Sequence, residues 1–137
     1  MYVLLRKEDG KKKSEMEDQI DKWISRIQQS KRLPDSQIKA FNFGIIETEG
    51  GCSVYLIGSR EYHGLDDDWA CKEDCVPKEK YLYLSKEYDN LEWQEVEKVM
   101  MCTLSNYLNN KKFENSFLSQ ATAITTGFDG GELIRIK

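Results

Sequence analysis

Ala40-Phe41-Asn42-Phe43-Gly44-Ile45-Ile46-Glu47-Thr48 runs through Glu49-Gly50-Gly51 into Cys52-Ser53-Val54-Tyr55-Leu56-Ile57-Gly58, and the fold is read outward from this stretch. Phe41, Phe43 and Ile45 alternate with Asn42, Gly44 and Ile46, a period of two with β-branched and aromatic content that predicts a strand within Ile38–Thr48. Gly50-Gly51 supplies the backbone freedom of a tight turn, so the chain returns as a second strand and the unit is a β-hairpin. Downstream, Pro77 closes a polar loop and Lys80-Tyr81-Leu82-Tyr83-Leu84 reads as a third strand of the same sheet.

Upstream, Tyr2 to Arg6 is a short apolar run bounded by Asp9-Gly10 and reads as an edge or terminal strand. From Lys13, the residues Met16, Ile20, Trp23, Ile24 and Ile27 recur at helical spacing, which predicts an amphipathic helix that ends before Pro34. A second helix is expected to begin at Asp89, whose capping-box partner is Glu92, with Trp93, Val96, Met100, Leu104, Tyr107 and Leu108 as its apolar stripe. Ala121–Thr126 and Glu132–Ile136 form a second hairpin across Phe128-Asp129-Gly130-Gly131. Hairpins outnumber strand-helix alternations, so the expected class is α+β: one antiparallel β-sheet of about five to six strands with two amphipathic helices packed on one face. No linker, repeat or low-complexity tract interrupts residues 1–137, which read as a single domain.

The totals fit an ordinary globular protein, with 39% hydrophobic and 32% charged residues among 137. No run approaches the roughly 20 apolar residues of a membrane span and the first residues do not resemble a signal peptide, so no membrane and a cytoplasmic location are expected. Four widely spaced cysteines, Cys52, Cys71, Cys75 and Cys102, are expected to be free thiols. The net charge of −4 is uneven: residues 40–100 carry six bases and fourteen acids. The one dense basic run, Lys11-Lys12-Lys13, lies among acids, so no nucleic acid is expected as a partner.

The most unusual segment is Leu65-Asp66-Asp67-Asp68-Trp69-Ala70-Cys71-Lys72-Glu73-Asp74-Cys75, within a loop of seven acids and two lysines between residues 61 and 79. A loop of this kind draws a basic partner or a cation, or is simply solvated. Trp69 either plugs the loop onto the core or stands out as a binding anchor. Cys71, Cys75 and His63 raise zinc, although Cys-x3-Cys lacks a second ligand pair nearby. The loop has no EF-hand register, His63 has no neighbouring nucleophile and acid in a recognisable order, and neither Gly-x-Gly-x-x-Gly nor a Walker phosphate loop occurs. No cofactor is implied.

Tyr55-Leu56-Ile57-Gly58-Ser59 leading to Asp66-Asp67-Asp68-Trp69-Ala70-Cys71-Lys72-Glu73, together with Gly127-Phe128-Asp129-Gly130-Gly131-Glu132-Leu133, resembles segments of bacterial polymorphic-toxin immunity proteins. The resemblance covers residues 40–137, while His63-Gly64 and Cys75 depart from the pattern. It implies a cytoplasmic, non-enzymatic antidote that binds and blocks a cognate toxin domain, and it supplies no catalytic residues. A nuclease toxin with a basic cleft would meet the acidic loop by charge complementarity. Asp66, Asp67, Asp68, Glu73 and Asp74 would then supply charge, and Trp69 would rigidify the loop or fill a pocket. The rivals are a small metal-binding module or enzyme using Cys71 and Cys75, and an interaction domain that uses the open sheet face.

Overall fold

The computed structural model describes residues 15–30, 35–49 and 51–137. The expected strand at Tyr2–Arg6, the helix start at Lys13 and the stop at Pro34 lie outside the described residues. The described elements are α1 (Glu15–Gln29), β1 (Ala40–Thr48), β2 (Gly51–Ser59), β3 (Tyr81–Tyr83), α2 (Trp93–Leu108), the single turn α3 (Lys111–Glu114), β4 (Ala123–Phe128) and β5 (Ile134–Arg135). The class is α+β, with a five-stranded sheet in the order β3-β2-β1-β4-β5 and two long helices against it.

Both expected hairpins form, β1 with β2 and β4 with β5, and β3 joins the outer side of β2. One pairing departs from an all-antiparallel sheet: β4 lies parallel to β1, with Phe41 opposite Ile124. The reason is the connection. A helical crossover lets the chain re-enter a sheet in the same direction, and α2 lies between β3 and β4.

Side-chain parity sorts the sheet into two faces. Phe41, Phe43 and Ile45 of β1 share one face with Val54 and Leu56 of β2, Leu82 of β3 and Ile124 of β4, and this set packs with Met16, Ile20, Trp23, Ile24 and Ile27 of α1 and Val96, Met100 and Leu104 of α2. The helical spacing read from the sequence therefore gives the apolar members of the buried stripe of α1, to which the structure adds Asp21. Trp23 meets Phe43 edge to face at 6.1 Å. Its indole N–H also donates to the carbonyl of Glu79 at 2.8 Å, while the Gln19 amide donates to the carbonyl of Tyr83 and its oxygen accepts from the N–H of Ser85. These bonds occupy polar backbone groups flanking the short edge strand β3, which would otherwise offer a template for further strand pairing.

Helix α2 starts later than the capping-box reading places it. Asp89 has helical backbone angles, φ −65° and ψ −29°, at the end of a 3-10 turn through Lys86–Tyr88. An N-cap side chain reaches the amides ahead of it only from an extended backbone, so Asp89 cannot cap. The extended residue is Glu92, whose carbonyl accepts from the N–H groups of Glu95 and Val96. Tyr88 fixes the preceding turn, because it is buried and its hydroxyl oxygen accepts the N–H of Met16 at 2.9 Å.

Gly44 sits opposite Tyr55 across the central hairpin, and the Tyr55 ring lies over it: a Cβ at Gly44 would come within 2.1 Å of Tyr55 Cζ. The missing side chain is what lets an aromatic ring lie flat on the sheet. Gly44→Ala is expected to lower stability by about 1–3 kcal/mol through this overlap. Chemical denaturation should show most of that loss disappear when Tyr55→Ser is combined with it.

Candidate functional site

Part of the sheet face away from the helices is covered by the acidic loop. Ala40 of β1 and Ala123 of β4 are paired neighbours on that face, and their small side chains leave a shallow seat. Trp69, in a 3-10 turn over Asp68–Cys71, fills it and is 1% exposed. Tyr62 packs against the indole edge to face at 5.3 Å, Leu133 closes one side, and the Arg135 guanidinium lies 5.2 Å over the Tyr62 ring. Trp69 is therefore the plug and not an exposed anchor, since burying an indole of its size removes on the order of 150–250 Å² from water.

The acids are mostly engaged with their own chain. Asp66 accepts the N–H of Asp68 at 3.0 Å and so makes the turn that introduces Trp69. Asp67 accepts the N–H of Leu133 at 3.1 Å, tying the loop to the approach to β5. Asp74 accepts the N–H of Arg60 at 2.8 Å, and next to it Cys75 exchanges two backbone hydrogen bonds with Gly58 of β2. Glu61 pairs with Lys72, Glu73 with Lys80 and Glu79 with Arg26. The loop is thus a clasped structure, and its charge is partly neutralised from within. Asp68, by contrast, is exposed and its carboxylate makes no hydrogen bond among the described residues.

Between this loop and the turn joining β4 to β5 lies a cleft of about 540 Å³, within the size range of ligand sites. Asp67, Asp68, Cys71 and Glu73 wall one side, Phe128–Gly131 and Leu133 the other, and Asn42, Ile46, Tyr55, Lys80 and Tyr81 also line it. The turn is closed by the N–H of Gly131 on the carbonyl of Phe128 at 2.8 Å, with Gly130 at φ +82°, a left-handed conformation suited to glycine. Tyr55 donates its hydroxyl to Asp129 Oδ1 at 2.9 Å and so fixes the turn to the sheet. Burial, reinforced by that carboxylate, raises the Tyr55 phenol well above its usual range. Lys80 is held charged, first by its hydrogen bond to Glu73.

Of the residues expected to meet a partner, Asp67, Asp68 and Glu73 line the cleft, Asp66 and Asp74 build the loop, and Trp69 lies beneath it. Sequence reading missed Tyr55, Lys80, Tyr81 and Asp129 as site residues. Their signal was present only in register: Tyr55 stands directly across from Tyr81 between β2 and β3. The zinc alternative finds no ligand set, because among the described residues no three His, Cys, Asp or Glu side chains converge on a common point. Cys75 is half-buried, which raises its thiol pKa, and its backbone is engaged with β2. Among the described residues no helix is long and apolar enough to cross a membrane. Compared with known proteins, the chain matches no family model, no curated protein and no solved structure.

Trp69→Ala should cost about 3–5 kcal/mol and release the loop, read as faster amide exchange from residue 61 to 75. Alkaline titration tests the buried phenols. Burial pushes Tyr88 up from its ordinary 10 to about 12, despite the Met16 N–H at its oxygen, and raises Tyr107 in the same direction. A raised folded pKa stabilises the fold below pH 10, and that contribution is lost as the pH climbs from 10 to about 12. Tyrosinate absorbance should therefore lag behind that of the denatured chain and be completed only as near-UV circular dichroism collapses.

Proposed function

We propose that this chain is an immunity-type binding protein that docks on a toxin domain with a basic surface and blocks it, acting in the cytoplasm without catalysis. The observation that carries the reading is the cleft itself, whose lining among the described residues has four carboxylates, Asp67, Asp68, Glu73 and Asp129, and one ammonium, Lys80. Its net negative charge is presented on a braced surface, so little ordering entropy is lost on binding. Such a surface raises the encounter rate with a cationic partner and disfavours anionic ones. The resemblance of the loop and of Gly127–Leu133 to immunity proteins supplies the class of partner: a toxin, of which a nuclease with a basic substrate cleft is the best electrostatic match.

Growth rescue tests this. The product of the open reading frame beside this one is expressed in a bacterial host with and without this protein, and restored growth is the expected result. Asp67/Asp68/Asp129→Asn keeps the shapes and the acceptor oxygens while removing three charges, so it should remain folded yet bind at least about 100-fold more weakly. The wild-type association rate should fall steeply as salt rises from 50 to about 500 mM. Full rescue by the triple variant, with an unchanged association rate, would remove the cleft from the interface.

A further inference from the structure

Lys80 already places a cation in the cleft. Its Nζ lies 5.7 Å from the centre of the Tyr55 ring, 5.2 Å from that of Tyr81 and 2.8 Å from Glu73 Oε1. The two rings meet edge to face at 6.3 Å, an arrangement that presents aromatic surface from two directions. Distances of this order lie within the roughly 6 Å over which a ring quadrupole attracts a positive charge. The seat is fixed from several sides. Tyr55 is set by Gly44 beneath its ring and Asp129 at its hydroxyl, and Tyr81 is held in the β2–β3 ladder. Glu73 belongs to the loop clasped by Trp69 and Asp74.

What fills the seat in the free protein is a lysine paired with Glu73. The carbonyl of Lys80 accepts the N–H of Leu56 at 3.1 Å, so the backbone is anchored, but the ammonium rides on a flexible four-carbon stem. An arginine would use the same surroundings better. Its planar guanidinium stacks on aromatic faces, is more weakly hydrated than an ammonium and pairs with a carboxylate through two parallel hydrogen bonds.

We infer that Tyr55, Tyr81 and Glu73 form a cation seat, held by Lys80 in the free protein and taken over on binding by an arginine side chain of the basic partner. The inference rests on the reading that this cleft docks a basic protein. Lys80 then acts as an internal competitor: it keeps the seat closed to weak cations and yields to an arginine that the rest of the interface delivers. The consequence runs against simple bookkeeping of surface charge, since removing one lysine should improve binding at a single point of the cleft.

The probe is N-acetyl-arginine methylamide, titrated into the isotope-labelled full chain and followed by NMR, with the lysine analogue and the uncharged citrulline analogue as controls. Signals of Tyr55, Tyr81 and Glu73 should shift with arginine, less with lysine and not with citrulline. Lys80→Met keeps the stem and removes the charge, and should bind the arginine probe about tenfold more tightly than wild type, a fraction of the raw repulsion between two cations in one seat. Tyr81→Leu changes a partly exposed edge residue and should abolish the preference for arginine over lysine. Equal affinity of wild type and Lys80→Met, or equal shifts with citrulline, would overturn the seat. A chain that rescues growth but shows either of those results keeps the toxin-binding reading and loses the seat. A chain that takes up arginine as described without rescuing growth keeps the seat and loses the toxin.

Discussion

Strand β1 must be covered on both faces, and most of the architecture answers to that requirement. Its residues from Ala40 to Ile45 are all buried, including those whose side chains point away from the helices. Two helices satisfy one face with a broad aliphatic and aromatic core. Among the described residues no helix covers the other, so a loop does the work there, with one large side chain reaching down from it. Trp69 is that side chain, seated over Ala40 and Ala123. At about 25 cal/mol per Å² of apolar surface, a buried indole contributes a gross stabilisation of several kcal/mol, comparable to the whole net stability of a small domain.

The acidity of the loop takes its form from this seal. A segment that carries a tryptophan inward must turn sharply before it and be tied down after it. Asp66 makes the turn, while Asp67 and Asp74 hook backbone N–H groups on either side. Carboxylates suit this role because they accept strongly from backbone donors at exposed positions. Asp68, with Glu73 bound to Lys80 and Asp129 bound to Tyr55 across the gap, faces a cleft that exists because the loop covers only part of the sheet. Within one short acidic run some carboxylates hold the loop and others line the cleft, and Asp67 does both.

Aromatic residues complete the open face. Tyr55 spans Gly44, meets Tyr81 and grips Asp129, so that one ring links the central hairpin, the edge strand and the distal turn. Tyr83, 73% exposed, follows on the same side of β3, whose backbone is meanwhile guarded by Gln19 and Trp23 of α1. One carbonyl of this edge strand, that of Tyr83, is thereby occupied by a side chain of α1.

Local pattern determined the elements of this protein. Alternation in Phe41–Ile45, the helical spacing from Met16 to Ile27 and the glycine turns fix strands, helices and hairpins, because each depends on side-chain periods of a few residues. The α+β class and the central hairpin follow directly. Tertiary structure alone decided the parallel seat of β4 beside β1, the burial of Trp69 and the late start of α2 at Trp93. It also decided that Tyr55, Lys80, Tyr81 and Asp129 gather with Asp68 and Glu73, residues separated by up to 74 positions in the chain. Periodicity reports which face of an element is apolar. Which elements become neighbours depends on a competition for buried area across the whole molecule, and no local stretch of sequence contains its outcome.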